Sequence, residues 1–308
     1  MARVAFLGSD RWSVPSLEAL HESSHEVALV ATRAPKPAGR GSKLTPTPVA
    51  ESARGLGLPL IEPATVKSGE GLGSLREVRP DVLVVVAYGE ILPAAVLELP
   101  RIAPVNLHFS VLPELRGAAP VQRALLEGME VTGVTTIRMD EGMDTGQILL
   151  QSEEAIDPED DAGSLGARLA AIGARLLVDT VDRLETGDIE EEPQDELVAT
   201  FAPKLSSDDR WLDWTGPADE LWRRVRALGP DPATSTRFRG DVLKVYRAAV
   251  HEGEGEPGTV LAAGPEAFLV AAGRGALALL EVAPAGRKRM SAAEFLRGHR
   301  PELGERLG

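Results

Sequence analysis

Hydrophobic residues in the first half of the chain form short runs that alternate with helical stretches. Apolar strands are expected at residues 3–7, 26–31, 81–87 and 102–108, and helices at Pro15 and Pro120. Proline suits the first turn of a helix, where no amide hydrogen is needed. The run at 81–87 is almost continuously apolar, which is typical of a parallel strand buried on both faces. The pattern predicts a doubly wound, mostly parallel α/β sheet of the Rossmann-like kind.

The pattern changes in the middle of the chain. A strand pair at 132–139 and 147–152 flanks a turn rich in Asp and Gly. Residues 163–184 have apolar positions at helical spacing, and the acidic residues after them show no periodicity. We therefore predict a first domain over residues 1–188 and a linker over 189–206.

The last third of the chain has a different organisation. After a helix at 219–228, short strands are separated by Gly and Pro, at 243–248, 258–262, 267–271 and 276–282. Strands at this spacing predict a small, OB-like β-barrel over residues 207–308. A final helix over 291–297 has Ser291 as its N-cap and Glu294 at the capping-box position.

Composition narrows the class of protein. The chain has 308 residues, 43% of them apolar and 26% charged, which is ordinary for a soluble protein of about two domains. No apolar run reaches the roughly 18 residues of a membrane helix, and the N-terminus lacks a signal-peptide pattern. The absence of cysteine excludes disulfides and thiolate chemistry. We expect a monomeric cytoplasmic protein that does not associate with a membrane and has no obligate protein partner.

The net charge of −14 is unevenly distributed. Residues 151–200 contain 3 basic and 15 acidic residues, a net of −12, whereas residues 201–308 contain 16 basic and 15 acidic residues, a net of +1. The first half carries a basic arm, in which four cations lie close together among prolines: Arg33, Lys36, Arg40 and Lys43. Local basic patches bind phosphates even in an acidic protein. A flexible surface loop and a phosphate-contacting arm explain this segment equally well.

Residues 21–25, His-Glu-Ser-Ser-His, have the spacing of the zinc-protease motif. That chemistry needs both histidines on one face of a stable helix, and a third ligand. Here a strand follows at once, so we interpret the segment as the end of a helix and predict no metal site.

Three polar side chains are expected to converge at the carboxyl edge of the sheet. Asn106 and His108 share one face of a strand because they are two residues apart. Open α/β sheets place their sites at this edge. Asp144 follows in a turn bounded by glycines, from which its carboxylate could orient or charge the imidazole. Each residue alone could be an ordinary satisfied polar group; together they predict a catalytic set.

The segments around these residues resemble the formyltransferases that use 10-formyltetrahydrofolate. NLHFSVLPELRG (106–117) is similar to the family signature N-x-H-x-S-x-L-P-x-x-R-G, MDEGMDTGQIL (139–149) to its partner motif, and AYGEILP (87–93) to its folate loop. AGRGSKLTPTPV (38–49) resembles the insertion of the branch that acts on methionyl-tRNA, whose C-terminal domain the last hundred residues also resemble. Residues 8–12, GSDRW, depart from the family's usual G-T-P-x-F.

The resemblance implies an activity and its residues. A formyl group would pass from 10-formyltetrahydrofolate, as co-substrate, to the α-amino group of initiator methionyl-tRNA, giving N-formylmethionyl-tRNA for translation initiation without a metal. Asn106, His108 and Asp144 are implied to be catalytic. The residues implied to bind folate are Tyr88, Gly89, Glu90, Ile91, Leu92, Ser110, Val111, Leu112, Pro113, Gly142 and Met143. Those implied to bind methionyl-tRNA are Trp12, Lys36, Arg40 and Lys43.

Two alternatives stay open at this point. One is a formyltransferase of the same fold that acts on an amino sugar or a purine precursor, and the other is a non-catalytic RNA-binding barrel protein. The basic arm and the C-terminal barrel argue against the first, since a small substrate needs neither. The Asn, His and Asp set argues against the second.

Overall fold

The computed structural model describes residues 1–38, 43–264 and 267–308, and the chain divides into two compact units. Unit 1 comprises Met1–Pro120, Val131–Ala155 and Gly166–Ala202, and unit 2 comprises Val121–Glu130, Ile156–Leu165 and Pro203–Gly308. The residues predicted as a linker, 189–206, are therefore shared between the units. The end of the first domain at 188 and the start of the C-terminal domain at 207 stay predictions.

The chain as far as Ala202 contains nine strands and six helices in its described parts. The strands are β1 (Arg3–Gly8), β2 (Glu26–Ala31), β3 (Lys36–Ala38), β4 (Lys43–Thr45), β5 (Leu60–Ile61), β6 (Val82–Val86), β7 (Ala103–His108), β8 (Val131–Arg138) and β9 (Ile148–Ala155). The helices are α1 (Val14–Glu22), α2 (Pro48–Gly55), α3 (Gly69–Val78), α4 (Ala94–Leu97), α5 (Pro120–Glu127) and α6 (Ala162–Thr186). Among the described residues, we find no helix with the length and apolar character needed to cross a membrane.

A seven-stranded sheet forms the centre of unit 1, in the order β5-β2-β1-β6-β7-β8-β9. The first five strands are parallel, and β8 runs antiparallel to both of its neighbours. All five residues of β6 are buried, as its apolar run predicts. The chain order reverses at β1, and ligands of open sheets bind at the carboxyl ends beside such a reversal. The predicted doubly wound, mostly parallel sheet is confirmed.

The described part of the basic arm is a two-stranded antiparallel ribbon. In it Lys36 of β3 pairs with Thr45 of β4, and Ala38 pairs with Lys43. Lys36 is exposed, whereas Arg40 lies outside the described residues. The sequence pattern did not predict these strands, because the prolines and glycines of the arm favour turns.

Unit 2 is built around antiparallel strands. Its further elements are α7 (Ala218–Leu228), β10 (Thr234–Phe238), β11 (Asp241–His251), β12 (Val260–Gly264), β13 (Ala267–Ala271), β14 (Ala276–Pro284), β15 (Met290–Ser291) and α8 (Ala292–His299). The sheet order is β10-β11-β14-β13-β12, with β15 paired to β14. Helix α8 begins with the predicted reciprocal cap between Ser291 and Glu294.

Residues close to the C-terminal end of the described chain connect the two edges of this sheet. Arg306 pairs with Thr259 beside β12, and Leu307 pairs with Phe238 at the end of β10. Leu307 is only 3% exposed and belongs to the core of unit 2 together with Trp214. These pairings close the sheet into the predicted small barrel.

We expect Leu307→Ala to lower the free energy of unfolding of unit 2 by about 2–5 kcal/mol, because it leaves a cavity in the core at the closing seam. Urea unfolding followed by tryptophan fluorescence measures this. Leu303→Ala is the matched control, since Leu303 is 72% exposed, and it should change the value by no more than about 0.5 kcal/mol. Equal effects of the two variants would contradict the role of Leu307 in closing the barrel.

Candidate active site

The carboxyl ends of three neighbouring strands lie level at one edge of the sheet. Gly8 at the end of β1 pairs with Val86, and Val86 at the end of β6 pairs with Leu107 of β7. The loops that leave β1 and β6 therefore begin beside His108, the last residue of β7. These loops carry Trp12 and the predicted folate segment that starts at Tyr88.

The structure brings Asn106, His108 and Asp144 together. Asn106 Nδ2 donates to Asp144 Oδ1 at 3.4 Å, and His108 Nδ1 lies 3.5 Å from Asp144 Oδ2. The backbone N–H of Gly117 also donates to Asp144 Oδ2, at 2.8 Å. His108 is buried and the other two side chains are partly buried. An amide donor, an imidazole and a carboxylate thus share one partly enclosed space.

Asp144 reaches this place only because its loop turns back along β7. Strand β8 runs away from His108 and ends opposite Val105, the partner of Arg138. The next residue, Met139, already bonds the carbonyl of Pro104, at the start of β7. The loop must therefore reverse to bring Asp144 to His108.

Both groups that face the imidazole of His108 come from residues with left-handed backbones. Asp144 has a φ of 56°, and Leu115, whose carbonyl lies 2.9 Å from His108 Nε2, has a φ of 57°. Such conformations cost about 1–3 kcal/mol in a residue other than glycine and persist only where the surroundings enforce them. A carbonyl only accepts, so Nε2 carries a hydrogen, and Nδ1 is the nitrogen that faces the carboxylate.

Two residues of this region had no role assigned from the sequence. Arg116 is 2% exposed, and its guanidinium donates to Gln194 Oε1 and to both carboxylate oxygens of Glu196. Hydrogen bonding to Glu196 raises the pKa of Arg116 further, so the guanidinium stays charged. Gln194 Nε2 donates to the carbonyls of Asp144 and Gly146, at 2.7 Å each. Arg116 stood inside the quoted signature, whereas Gln194 lies in an acidic stretch without periodicity and gave no signal.

The predicted folate loop is partly core and partly exposed. Tyr88 and Leu92 belong to the hydrophobic core of unit 1, whereas Ile91 is 69% exposed. Burial raises the pKa of Tyr88 to about 12, so its hydroxyl stays neutral, and it has no hydrogen-bond partner among the described residues. Gly89 has a φ of 83°, which strains any residue with a side chain, and the guanidinium of Arg33 lies 3.2 Å from where a Cβ would be. Glu90, also predicted to bind folate, accepts a hydrogen bond from the Thr65 hydroxyl. The side chain of Met143, predicted from another loop, is 57% exposed.

The predicted folate segment 110–113 already uses its backbone groups internally. The Ser110 carbonyl and the Leu112 amide both bond the Thr135 hydroxyl, and the Leu112 carbonyl accepts from Gln151. Ser110 and Leu112 are buried, whereas Val111 and Pro113 are partly exposed. This segment can therefore offer a ligand a packing surface more readily than hydrogen bonds.

Trp12 contacts Phe109, which directly follows His108. Its ring centroid is 5.9 Å from that of Phe109, and its amide donates to Asp10. Gly166 of α6 packs directly under the indole, where a Cβ would overlap the ring. The departure from the family pattern at residues 8–12 thus places a large aromatic ring beside the site.

The zinc-protease spacing has the predicted explanation. Helix α1 ends at Glu22, and β2 begins at Glu26. His25 is buried, and its Nδ1 accepts from the amide of Ala2 while its Nε2 lies 3.1 Å from Asp182. Within the described ranges, no group of three His, Cys, Asp or Glu residues could hold a metal ion.

Several arginines that made the last third locally basic are used inside unit 2. Arg226 donates to the carbonyls of Asp157 and Asp160 and lies over Trp222 at 4.4 Å. Others are paired as well: Arg223 with Asp219, Arg224 with the carbonyl of Trp211, and Arg289 with Glu281. Arg287 and Lys288 are exposed, and the part of the chain that the structure describes gives their side chains no partner.

Two family models match the chain, one described as formyl transferase over residues 2–181 and one as the formyl transferase C-terminal domain over residues 204–300. The fold is shared with the N-formyltransferase of Helicobacter canadensis in complex with folinic acid and dTDP-3-aminofucose (TM-score 0.68, 18% identity, 91% of this chain and 99% of that one). It is also shared with HypX of Aquifex aeolicus in complex with tetrahydrofolic acid (TM-score 0.66, 19% identity), of which the chain spans 48%. These matches define the class of protein as a formyl transferase with a second, C-terminal domain.

Sequence relatives specify the family. The methionyl-tRNA formyltransferase of Methylobacterium sp. is 45% identical, over 99% of both chains. That of Symbiobacterium thermophilum is 44% identical, over all of this chain and 95% of the relative. The chain therefore belongs to the methionyl-tRNA formyltransferase family.

Because Gly166 packs under Trp12, we predict that the effect of Gly166→Ala on stability reverses when the indole is removed. Gly166→Ala should destabilise the protein by about 1–3 kcal/mol, because the methyl group displaces the indole. In a Trp12→Ala background the same change should stabilise by up to about 1 kcal/mol, because alanine is the better helix former. Urea unfolding of the four variants measures both effects.

Gly73→Ala in α3 is the control, because a Cβ there meets no atom within 4 Å. It should stabilise equally in both backgrounds. If the effect of Gly166→Ala on stability did not depend on Trp12, the packing of Gly166 against the indole would be contradicted.

Proposed function

We propose that this chain transfers the formyl group of 10-formyltetrahydrofolate to the α-amino group of initiator methionyl-tRNA. The observation that carries the proposal is the convergence of Asn106, His108 and Asp144 in a chain that has both domains of its family. Since the proposed acceptor is a charged tRNA, the proposed compartment is the cytoplasm. A tRNA substrate accounts for the basic arm, for which an amino-sugar or purine acceptor has no use, and it agrees with the sequence relatives, which are methionyl-tRNA formyltransferases over nearly their whole length.

Asn106 and His108 are proposed to stabilise the transition state. The amine attacks the formyl carbon, a C–N bond forms, and the carbonyl oxygen becomes an oxyanion. Asn106 Nδ2 and a ring N–H of His108 would donate to that oxygen. One such donor contributes about 3–4 kcal/mol to transition-state stabilisation, or roughly 10²–10³ in rate.

Asp144 is proposed to move the protons. The attacking nitrogen loses a proton, and the folate N10 gains one as its bond to the formyl carbon breaks. The separation of 3.5 Å between Asp144 Oδ2 and His108 Nδ1 is longer than an ordinary hydrogen bond and leaves the carboxylate free to accept a proton, directly or through water. His108 Nε2 donates to the Leu115 carbonyl, so the ring donor that would bind the oxyanion is the Nδ1–H that faces Asp144.

The substrates are proposed to occupy opposite sides of this centre. The folate headgroup would lie between the segments at 88–92, 110–113 and 142–144, where the exposed apolar side chains of Ile91 and Met143 offer packing surface. Trp12 would contact the methionyl end of the tRNA, and Lys36, Arg40 and Lys43 its phosphates. Unit 2 would add salt-sensitive phosphate contacts, with Arg287 and Lys288 among its exposed cations.

His108→Ala and Asp144→Asn should each lower the single-turnover rate of formyl transfer by about 10²-fold or more, because both groups act mainly in the transition state. Folate binding should stay close to that of the unaltered protein. Mass spectrometry of the aminoacyl product gives the rate, and titration with a folate analogue gives the affinity.

His21→Ala is the matched control, since His21 is an exposed histidine on α1 outside the site, and it should leave the rate unchanged. A near-normal rate in either site variant would refute the assigned roles.

Arg40→Ala tests the arm. We expect it to lower kcat/KM for methionyl-tRNA by a factor that corresponds to about 1–3 kcal/mol, the usual value of a lost charged hydrogen bond. The salt dependence of tRNA use should become shallower, because one phosphate contact is lost. Folate affinity should not change.

Arg76→Ala removes the same charge from the exposed face of α3 and is the control. Measuring kcat/KM across a salt series for both variants separates a local contact from a change in net charge. If Arg40→Ala weakened folate binding as strongly as tRNA use, or changed neither, the proposed role of the arm would be wrong.

A further inference from the structure

We infer that Gln194 is a positioning residue for the proposed formyl transfer, because it holds the backbone that carries Asp144 in place opposite His108. The inference rests on the proposed function and adds a residue that makes no contact of its own with the reacting groups. It is carried by the hydrogen bonds that join Arg116, Gln194 and the Asp144 loop.

The amide of Gln194 uses both of its ends. Its two N–H bonds point to two carbonyls of the loop, those of Asp144 and Gly146, at 2.7 Å each. Its Oε1 accepts from Nε and Nη2 of Arg116, at 3.0 and 2.9 Å. Because a guanidinium only donates, Arg116 fixes which end of the amide faces the loop.

Arg116 is itself held from several directions. Its guanidinium is buried and paired with Glu196, its backbone N–H donates to Thr200, and its carbonyl accepts from Ala202. The segment that carries Gln194 is thereby bonded to the segment that follows β7. Gln194 is a fixed point against which the loop can be held.

The loop needs such a fixed point. It reverses along β7, and Asp144 has a left-handed φ of 56°. The other groups that contact Asp144, those of Asn106, His108 and Gly117, face its carboxylate and do not hold its backbone. The bonds from Gly142 and Thr145 to Asp140 stay within the loop and do not tie it to another segment. Without the bonds from Gln194, the carboxylate could move away from His108 while the fold remained intact.

Gln194→Glu is the sharpest test, since glutamate has the same size and still accepts from Arg116. A carboxylate, however, cannot donate to the carbonyls of Asp144 and Gly146. We expect the single-turnover rate of formyl transfer to fall about 10–100-fold, as misplacement of a catalytic group by about 1 Å does. The KM for methionyl-tRNA should match that of the control variant, whereas Tm should be somewhat lower, because two loop carbonyls lose their donor.

The control is Gln147→Glu, which adds the same charge three residues after Asp144. Gln147 is exposed, and no described residue bonds its side chain. Its rate should equal that of the unaltered protein, so a loss specific to position 194 cannot come from the added charge. Gln194→Ala serves as a second variant should Gln194→Glu fold poorly, with the same loss expected.

A double variant separates positioning from a general structural effect. If Gln194 acts through Asp144, Gln194→Glu should change the rate by less than about twofold in an Asp144→Asn background. A full additional loss there, or unchanged rates in both single variants at position 194, would overturn the inference. Failure of the unaltered protein to formylate methionyl-tRNA would instead overturn the proposed function.

Discussion

The site depends on the hydrogen bonds that the buried guanidinium of Arg116 donates to Gln194 and Glu196. A charge taken out of water is tolerated only when its hydrogen bonds are satisfied. Arg116 obtains its partners from Gln194 and Glu196, nearly eighty residues further along the chain. The segment around Gln194 and Glu196 is therefore held against the rest of unit 1 because the Arg116 guanidinium needs these partners. Its acidity has a structural use too, since Glu191 pairs in the same way with Arg138 of β8.

Two of the seven non-glycine residues with a positive φ, among the described residues, face one imidazole. The residues that provide its two facing oxygens, Leu115 and Asp144, both have left-handed backbones. Gly117, whose amide donates to Asp144, has a φ of 124° and no room for a side chain beside Ala202. Strain of this kind is found where geometry matters more than stability. The surrounding hydrogen bonds, from the Leu115 amide to the Thr200 hydroxyl and from Gln194 to the Asp144 carbonyl, offset it.

The sequence was informative wherever one physical signal dominated. Apolar runs located β1, β2, β6 and β7 to within a residue or two, and the two-residue repeat of a strand put Asn106 and His108 on one face. Strand β10 was not predicted because three of its four buried residues are polar: Thr234, Ser235 and Thr236. Their burial depends on hydrogen bonds such as that from Trp214 to Thr236. Gln194 escaped for a related reason: its contribution lies in the orientation of an amide between two distant segments, which no local pattern encodes.

The closing seam of the barrel also has a consequence for folding order. Leu307 pairs with Phe238, so the contact joins positions 238 and 307, 69 residues apart, whereas the hairpin of β10 and β11 pairs immediate neighbours such as Phe238 and Asp241. Closing a long loop costs more entropy than closing a short one, and this cost precedes the gain from the contact. The seam is therefore the last part of the barrel to form and the first to open in native-state fluctuations. Amide hydrogens there should exchange with solvent ahead of those in the β11–β14 pair, which makes the seam the place where this domain yields.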